Sequence, residues 1–216
     1  MLLAIDSASQ WMSLALYDGQ QVLAEQLQRS QNQHTVQLSA QLQRLLQEQG
    51  LTPSDLKALA IAQGVGSYSG LRVGFGVAKG LALALQLPLI PIPTLAITAL
   101  GTPFFEGNLM AVVSAGRHRI LAQAYHWSGD AWQASNDPAN TTWEALIASL
   151  SGPTLVNGEI DPAGQALLTQ AGLSLLPPAY RVRRAGFLAQ AAWERFVAHD
   201  YPVHSAQVMP LYVNTP

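Results

Sequence analysis

Between Lys79 and Glu106 the chain carries no charged residue. A stretch of that length either crosses a bilayer or lies in the interior of a fold, because charged side chains are almost never fully buried unless paired. Pro88, Pro91 and Pro93 decide between the two. Each proline removes a backbone donor and breaks a helix, so no single helix runs through. The segment reads instead as helix to Gln86, strand "LPLIPI", then helix "TLAITALG", all buried in a globular core and not in a membrane. The start "MLLAIDSASQ" meets an acid at Asp6 without a basic region before it, and so does not read as a signal peptide.

The loop before that stretch, "QGVGSYSGLR" from Gln63 to Arg72, is rich in glycine and serine. It fails the Walker pattern, since Leu71 stands where the second glycine is required. It also fails the dinucleotide fingerprint: Ser69 holds the third glycine place, and no acid lies between Asp55 and Glu106 to bind a ribose. Two readings are left. The commoner is a tight turn capped by Ser67 or Ser69. The other is a weak phosphate contact of Asp6, Ser7, Ser9, Gly66 and Ser67, using backbone N–H groups ahead of a helix. Asp6 itself reads first as a turn-forming aspartate bonded to nearby N–H groups.

Behind the loop, Gly70, Gly74, Ala78 and Ala82 recur every four residues, with Gly76 and Gly80 beside them. Glycine inside a helix costs roughly 1 kcal/mol relative to alanine, so the row implies close approach of something. That something is the chain's own first helix or another subunit. Charged residues make up only 11% of the chain and apolar ones 49%, which favours a shared interface.

Strand and helix periods order the rest. "LLAID" is a buried strand, and "WMSLALYDGQQVLAEQLQ" is a hairpin about Asp18-Gly19. "NQHTVQLSAQLQRLLQEQG" carries Thr35, Leu38, Leu42 and Leu45 on one helical stripe, capped by Ser30 or Asn32. "KALAIAQG" is a further strand. After a linker at 102–107, "LMAVVSA" and "RILAQAYHW" pair, "TTWEALIASL" is helical, "PTLVNG" is a strand and "DPAGQALLTQAG" a helix. A last helix spans 186–199, and the tail "HSAQVMPLYVNTP" is extended. The expected organisation is an α/β chain with a first lobe over 1–101, onto which the 186–199 helix packs, and a smaller second lobe over 108–185. The two halves read as loosely duplicated, each a mixed sheet with flanking helices.

Chemistry is sparse. The chain has no cysteine, which removes disulfides, thiol catalysis and zinc–thiolate sites. None of His34, His118, His126, His199 and His204 pairs at i,i+4, and no G-x-S-x-G elbow occurs. The net charge is −2. The Arg117–His118–Arg119 and Arg181, Arg183, Arg184 clusters are small for a protein that grips nucleic acid unaided.

Three segments, "LLAIDSASQWMSLALYDG", "QGVGSYSGLRVGFGVAKGLALAL" and "LPLIPIPTLAITAL", together resemble the bacterial TsaB (YeaZ) family over most of the first hundred residues. "PLYV" resembles the family's Pro-x-Tyr tail. The resemblance implies the actin-like, sugar-kinase/Hsp70 fold of two lobes. It also implies a non-catalytic partner of the related subunit TsaD. With the ATPase TsaE that subunit places threonylcarbamoyl on N6 of adenosine 37 of tRNA, in the cytoplasm. Where TsaD carries a His-x-x-x-His metal pair, this chain has Thr94 and Thr98, so the resemblance implies no metal here and no cofactor required by this chain. ATP or ADP with Mg would bind, if anywhere, at the subunit interface of the complex. The implied interface, with TsaD or with a second copy, uses Leu38, Leu42, Leu45, Gly70, Gly74, Val77, Ala78, Leu81 and Ala82. On this reading Gly74→Leu breaks association and leaves the monomer folded. tRNA is met through the complex. "SAGRHRIL" at 114–121 departs from the family's Asp-Ala-Arg-Arg-Gly-Glu-Val-Tyr, keeping only Ala115, Arg117 and a conservative Ile120. The rival from another class is an ATP-dependent small-molecule kinase of the same fold. For a second-lobe nucleotide loop it has only "NGE", Asn157 to Glu159, and "GPT".

Overall fold

The computed structural model describes residues 1–30, 34–116 and 119–211, with backbone only at 34–36. Asn32 as a cap, the Thr35 side chain of the helical stripe, the His34 ring, Arg117–His118 and the Tyr212–Val213 end of the tail motif lie outside the described residues.

The described residues divide into two units, one within 1–93 and 184–211 and one within 94–183. In the first unit β1 (Leu2–Asp6) and β2 (Trp11–Tyr17) pair antiparallel, and β3 (Val22–Arg29) extends the sheet beyond β2. The turn between β2 and β3 falls at Asp18-Gly19, where Asp18 Oδ1 accepts from the N–H groups of Gln20 and Gln21. On the other side β4 (Ala58–Gln63) and β5 (Leu89–Pro93) lie parallel to β1, giving the order β3-β2-β1-β4-β5. Leu2, Leu3, Ala4 and Ile5 are all buried, as a strand covered on both faces requires. The covering helices are α1 (His34–Glu48), α2 (Tyr68–Leu85) and α6 (Ala185–Val197). Ser67 caps α2 by accepting from Gly70 N–H, and Gln86 closes it in the left-handed conformation at φ 54°.

The second unit repeats the plan. β6 (Asn108–Gly116) pairs antiparallel with β7 (Arg119–Trp127), and β8 (Trp132–Ala134) and β9 (Ala139–Thr141) both pair with β7. β10 (Thr154–Gly158) and β11 (Ser174–Leu175) follow in parallel on the far side of β6. The path β8-β7-β6-β10-β11 has the same connectivity as β3-β2-β1-β4-β5. Alternation along β6 splits the core in two. Leu109, Ala111 and Val113 pack with Leu95 and Ala99 of α3 (Thr94–Leu100) and with Trp132. Met110 and Val112 pack with Trp143 and Leu146 of α4 (Trp143–Ser149) and Leu168 of α5 (Pro162–Gln170).

The observed boundary differs from the sequence reading. α3 groups with the second unit, so the division falls after Pro93 and not at 101. The reason is packing: Leu95 and Ala99 belong to the second sheet's core, a tertiary contact that periodicity does not carry. The tail is also not uniformly extended, because Ser205–Gln207 forms a 3-10 turn.

Candidate functional site

The β4–α2 loop is built to bring two backbones together. A Cβ placed on Gly66 would lie 1.9 Å from the Ala8 carbonyl oxygen, so no larger residue fits. Ser67 N–H donates to that same oxygen at 2.7 Å. Ser7 Oγ donates to the Gly70 carbonyl at 2.8 Å, tying the β1–β2 turn to the first turn of α2. Asp6 accepts from Ala8 N–H at 2.9 Å, the turn role expected of it. Ser9 exchanges hydrogen bonds with the Trp11 backbone. Asp6, Ser7, Ser9, Gly66 and Ser67 are therefore neighbours, as the phosphate reading needs. Their bonds run within the chain, as a tight turn needs.

The glycine row answers differently from the sequence expectation. Gly70, Gly74, Ala78 and Ala82 face inward and are buried within the first unit. A Cβ on Gly74 would meet Ser7 Oγ at 2.1 Å. Leu38, Leu42 and Leu45 of α1 are buried as well. These residues already have their partners, so they cannot line an open interface, and of the implied set only Val77 and Leu81 remain partly exposed. The physical reason is that the sheet itself is what α2 approaches so closely.

The outward face of α2 was the part that sequence reasoning passed over. Ser69, Arg72, Gly76, Gly80, Leu83 and Ala84 are exposed, with Val73 half-buried between them. Among the described residues, nothing outside the helix itself lies within 4 Å of a Cβ built on Gly76 or on Gly80. Leu83 is 79% exposed, and Tyr68 at the head of the helix 60%. The Arg72 guanidinium sits 5.4 Å over the Tyr68 ring. One edge of this face is bordered by the C-terminal segment, where Lys79 Nζ donates to the Ala206 carbonyl at 3.3 Å. Gln63 Nε2 donates to the Met209 carbonyl at 2.7 Å, and Val208 is buried beneath. The signal was present in the sequence: Gly76, Gly80 and Ala84 form a second four-residue row, flanked by Arg72 and not by Leu71 and Phe75.

In the second unit, Thr94 and Thr98 are buried on α3. Thr98 Oγ1 donates to the Thr94 carbonyl at 3.1 Å, and Thr102 Oγ1 to the Thr98 carbonyl at 2.8 Å. The Thr98 hydroxyl, turned onto its own helix, is a poor transition-metal ligand. Asn157 Nδ2 donates to Thr102 Oγ1 and to the Tyr180 carbonyl, while its Oδ1 accepts from Gly158 N–H. The "NGE" loop of the kinase reading thus spends its amide inside the core. Among the described residues no helix is long and apolar enough to cross a membrane.

Comparison with known proteins agrees with this architecture. The family model described as TsaD, tRNA N6-adenosine threonylcarbamoyltransferase, matches residues 21–171. The tRNA threonylcarbamoyladenosine biosynthesis protein TsaB of Escherichia coli K12 is 29% identical over 194 residues, covering 77% of this chain and 84% of that protein. TsaB of Haemophilus influenzae is 36% identical over 124 residues, 55% of this chain and 51% of that protein. A Pseudomonas aeruginosa crystal structure, of an uncharacterized protein with similarity to peptidase YEAZ, superposes with a TM-score of 0.83 at 22% identity, covering 99% of both chains. Its likeness extends to the fold, which is the actin-like, sugar-kinase/Hsp70 class with a mixed sheet in each unit. The chain belongs to the TsaB (YeaZ) family, proteins named for threonylcarbamoyladenosine biosynthesis and related in sequence to the TsaD threonylcarbamoyltransferases.

Proposed function

We propose that this chain is the non-catalytic assembly subunit of a threonylcarbamoyladenosine complex, docking on a TsaD protein through the outward face of α2. TsaD transfers threonylcarbamoyl to N6 of adenosine 37 while this chain holds it in an active arrangement. TsaE joins through the pair, tRNA is met through the complex, and the chain alone forms a homodimer through the same face. The complex works in the cytoplasm. Any ATP or ADP with Mg belongs to the subunit seam.

One observation carries the reading. Gly76 and Gly80 cost helix stability, roughly 1 kcal/mol each, yet among the described residues nothing outside their own helix lies within 4 Å of a Cβ built on either. Bare backbone flanked by the exposed Leu83 suits the close approach of a partner helix. The test is to mix the chain with its cognate TsaD on a sizing column and to assay modified tRNA with TsaE and threonylcarbamoyl-adenylate supplied. A shared peak and stimulated modification are expected. Separate elution with no stimulation would sink the proposal.

A further inference from the structure

The second unit contains an ion pair placed where folds of this class open toward ligands, at the carboxyl ends of parallel strands. β10 ends at Gly158, paired with Val112 of β6. One step beyond, Glu159 N–H donates to the Val112 carbonyl at 3.0 Å. Its side chain then folds over the strand end. Glu159 Oε2 accepts from the backbone N–H of Ser114 at 3.2 Å, and Oε1 from Arg183 Nη1 at 2.6 Å. The Arg183 side chain is 3% exposed and that of Glu159 is 23%. β6 carries a register irregularity between Ser114 and Gly116, and Ser114 and Gly116 are exposed, so the place opens to solvent on that side.

A backbone N–H and a buried guanidinium converging on one point are the donors that hold a phosphate or carboxylate group. We infer that Ser114 N–H and Arg183 form an oxyanion seat, and that the chain fills it with its own Glu159 carboxylate. The carboxylate is tethered next to the seat, so its effective concentration is high and a free anion competes poorly. Two consequences follow. The wild-type second unit binds phosphate ligands at this place weakly, and removing the carboxylate exposes a usable anion site. The seat stands independently of the docking proposal, because both its walls lie in residues 94–183.

The experiment uses the full chain and its Glu159→Ala variant, melted at fixed pH and ionic strength with chloride or with inorganic phosphate. Glu159→Ala should melt lower than wild type in chloride. It should then regain about 4 °C in saturating phosphate, in a saturable way, where wild type gains little. Adding Arg183→Met to Glu159→Ala should abolish the gain. Glu159→Gln keeps the side-chain shape and covers the case in which alanine unfolds the unit; it should show the same response at smaller amplitude. Replacing phosphate by ADP distinguishes a nucleotide's terminal phosphate from the free ion, and a saturable gain with either supports the seat. Equal phosphate responses of wild type, Glu159→Ala and Glu159→Gln would overturn it. So would a response that survives Arg183→Met.

Discussion

Gly74 and Gly76 are two residues apart on one helix and should respond to substitution in opposite directions. At Gly74 an added Cβ meets Ser7 Oγ at 2.1 Å and displaces the hydroxyl that holds the Gly70 carbonyl. Gly74→Ala should therefore cost about 1–3 kcal/mol, the usual penalty of overpacking a filled core. Gly74→Leu should unfold the unit, not merely break association. At Gly76 nothing among the described residues, the helix itself aside, lies within 4 Å of an added Cβ, so alanine removes only the helix cost of glycine. Gly76→Ala should gain roughly 1 kcal/mol and raise the melting temperature by about 3 °C. Thermal melts of the two alanine variants check both signs. Asp18 offers a separate test at the same scale. Its carboxyl is held below the ordinary value of 3.8, chiefly by the Gln21 and then the Gln20 N–H groups. A depressed folded pKa means the contribution is complete above 3.8 and disappears as pH falls through the lower folded value. Asp18→Asn should therefore narrow the stability difference from wild type on acidification below pH ~4, read from melts across that range.

α6 is held to the first sheet by groups that it does not itself carry. Its leading residue Arg184 makes no cap; instead Ala185 N–H donates to Ser13 Oγ of β2, and Gly186 N–H to Glu25 Oε1 of β3, both at 2.8 Å. Glu25 also pairs with Arg184. Ser13→Ala should cost about 1 kcal/mol, as loss of a helix cap does. Glu25→Ala should cost more, because it leaves a helix N–H and an arginine behind. Urea titration of the two variants gives the ranking. This capping shows where sequence reading stops. The hairpin at Asp18-Gly19, the strands β1, β4, β5, β6 and β10, and the six helices were legible, because each depends on local period and punctuation. The cap was not, since Ser13 and Ala185 lie 172 residues apart. β8, β9 and β11 were missed because strands of two or three residues are too short for alternation to register. Among site residues, the closeness of Asp6, Ser7, Gly66 and Ser67 was legible from glycine and strand ends. Which side of α2 faces the sheet was not, because both the Gly70-Gly74-Ala78-Ala82 row and the Gly76-Gly80-Ala84 row have the same period. Only Leu71 and Phe75 beside the first row, and Arg72 beside the second, separate them.

For the whole molecule, two units of one topology have been put to different uses. In the first, the β1–β2 turn and the β4–α2 loop are bonded to each other through Ala8, Ser67, Ser7 and Gly70. In the second, the corresponding strand ends are closed by Glu159 and Arg183. With both strand-end regions committed to internal bonds, the docking proposal rests on the outward face of α2. Leu83 is 79% exposed there, and covering a leucine of that kind contributes about 1.5–3 kcal/mol. Its loss alone should weaken association about tenfold or more. Gly80→Lys adds a long charged chain where a partner backbone would lie, and lysine suits a helix better than glycine does. Both variants should melt within about 0.5 kcal/mol of wild type or slightly above it, as exposed substitutions do. On the docking proposal, sedimentation velocity should show a dimer for wild type and, at the same concentration, monomers for Gly80→Lys and Leu83→Asp, and neither variant should co-elute with TsaD. If both variants keep wild-type affinity while Gly74→Ala alone changes it, the outward face of α2 is not the docking surface.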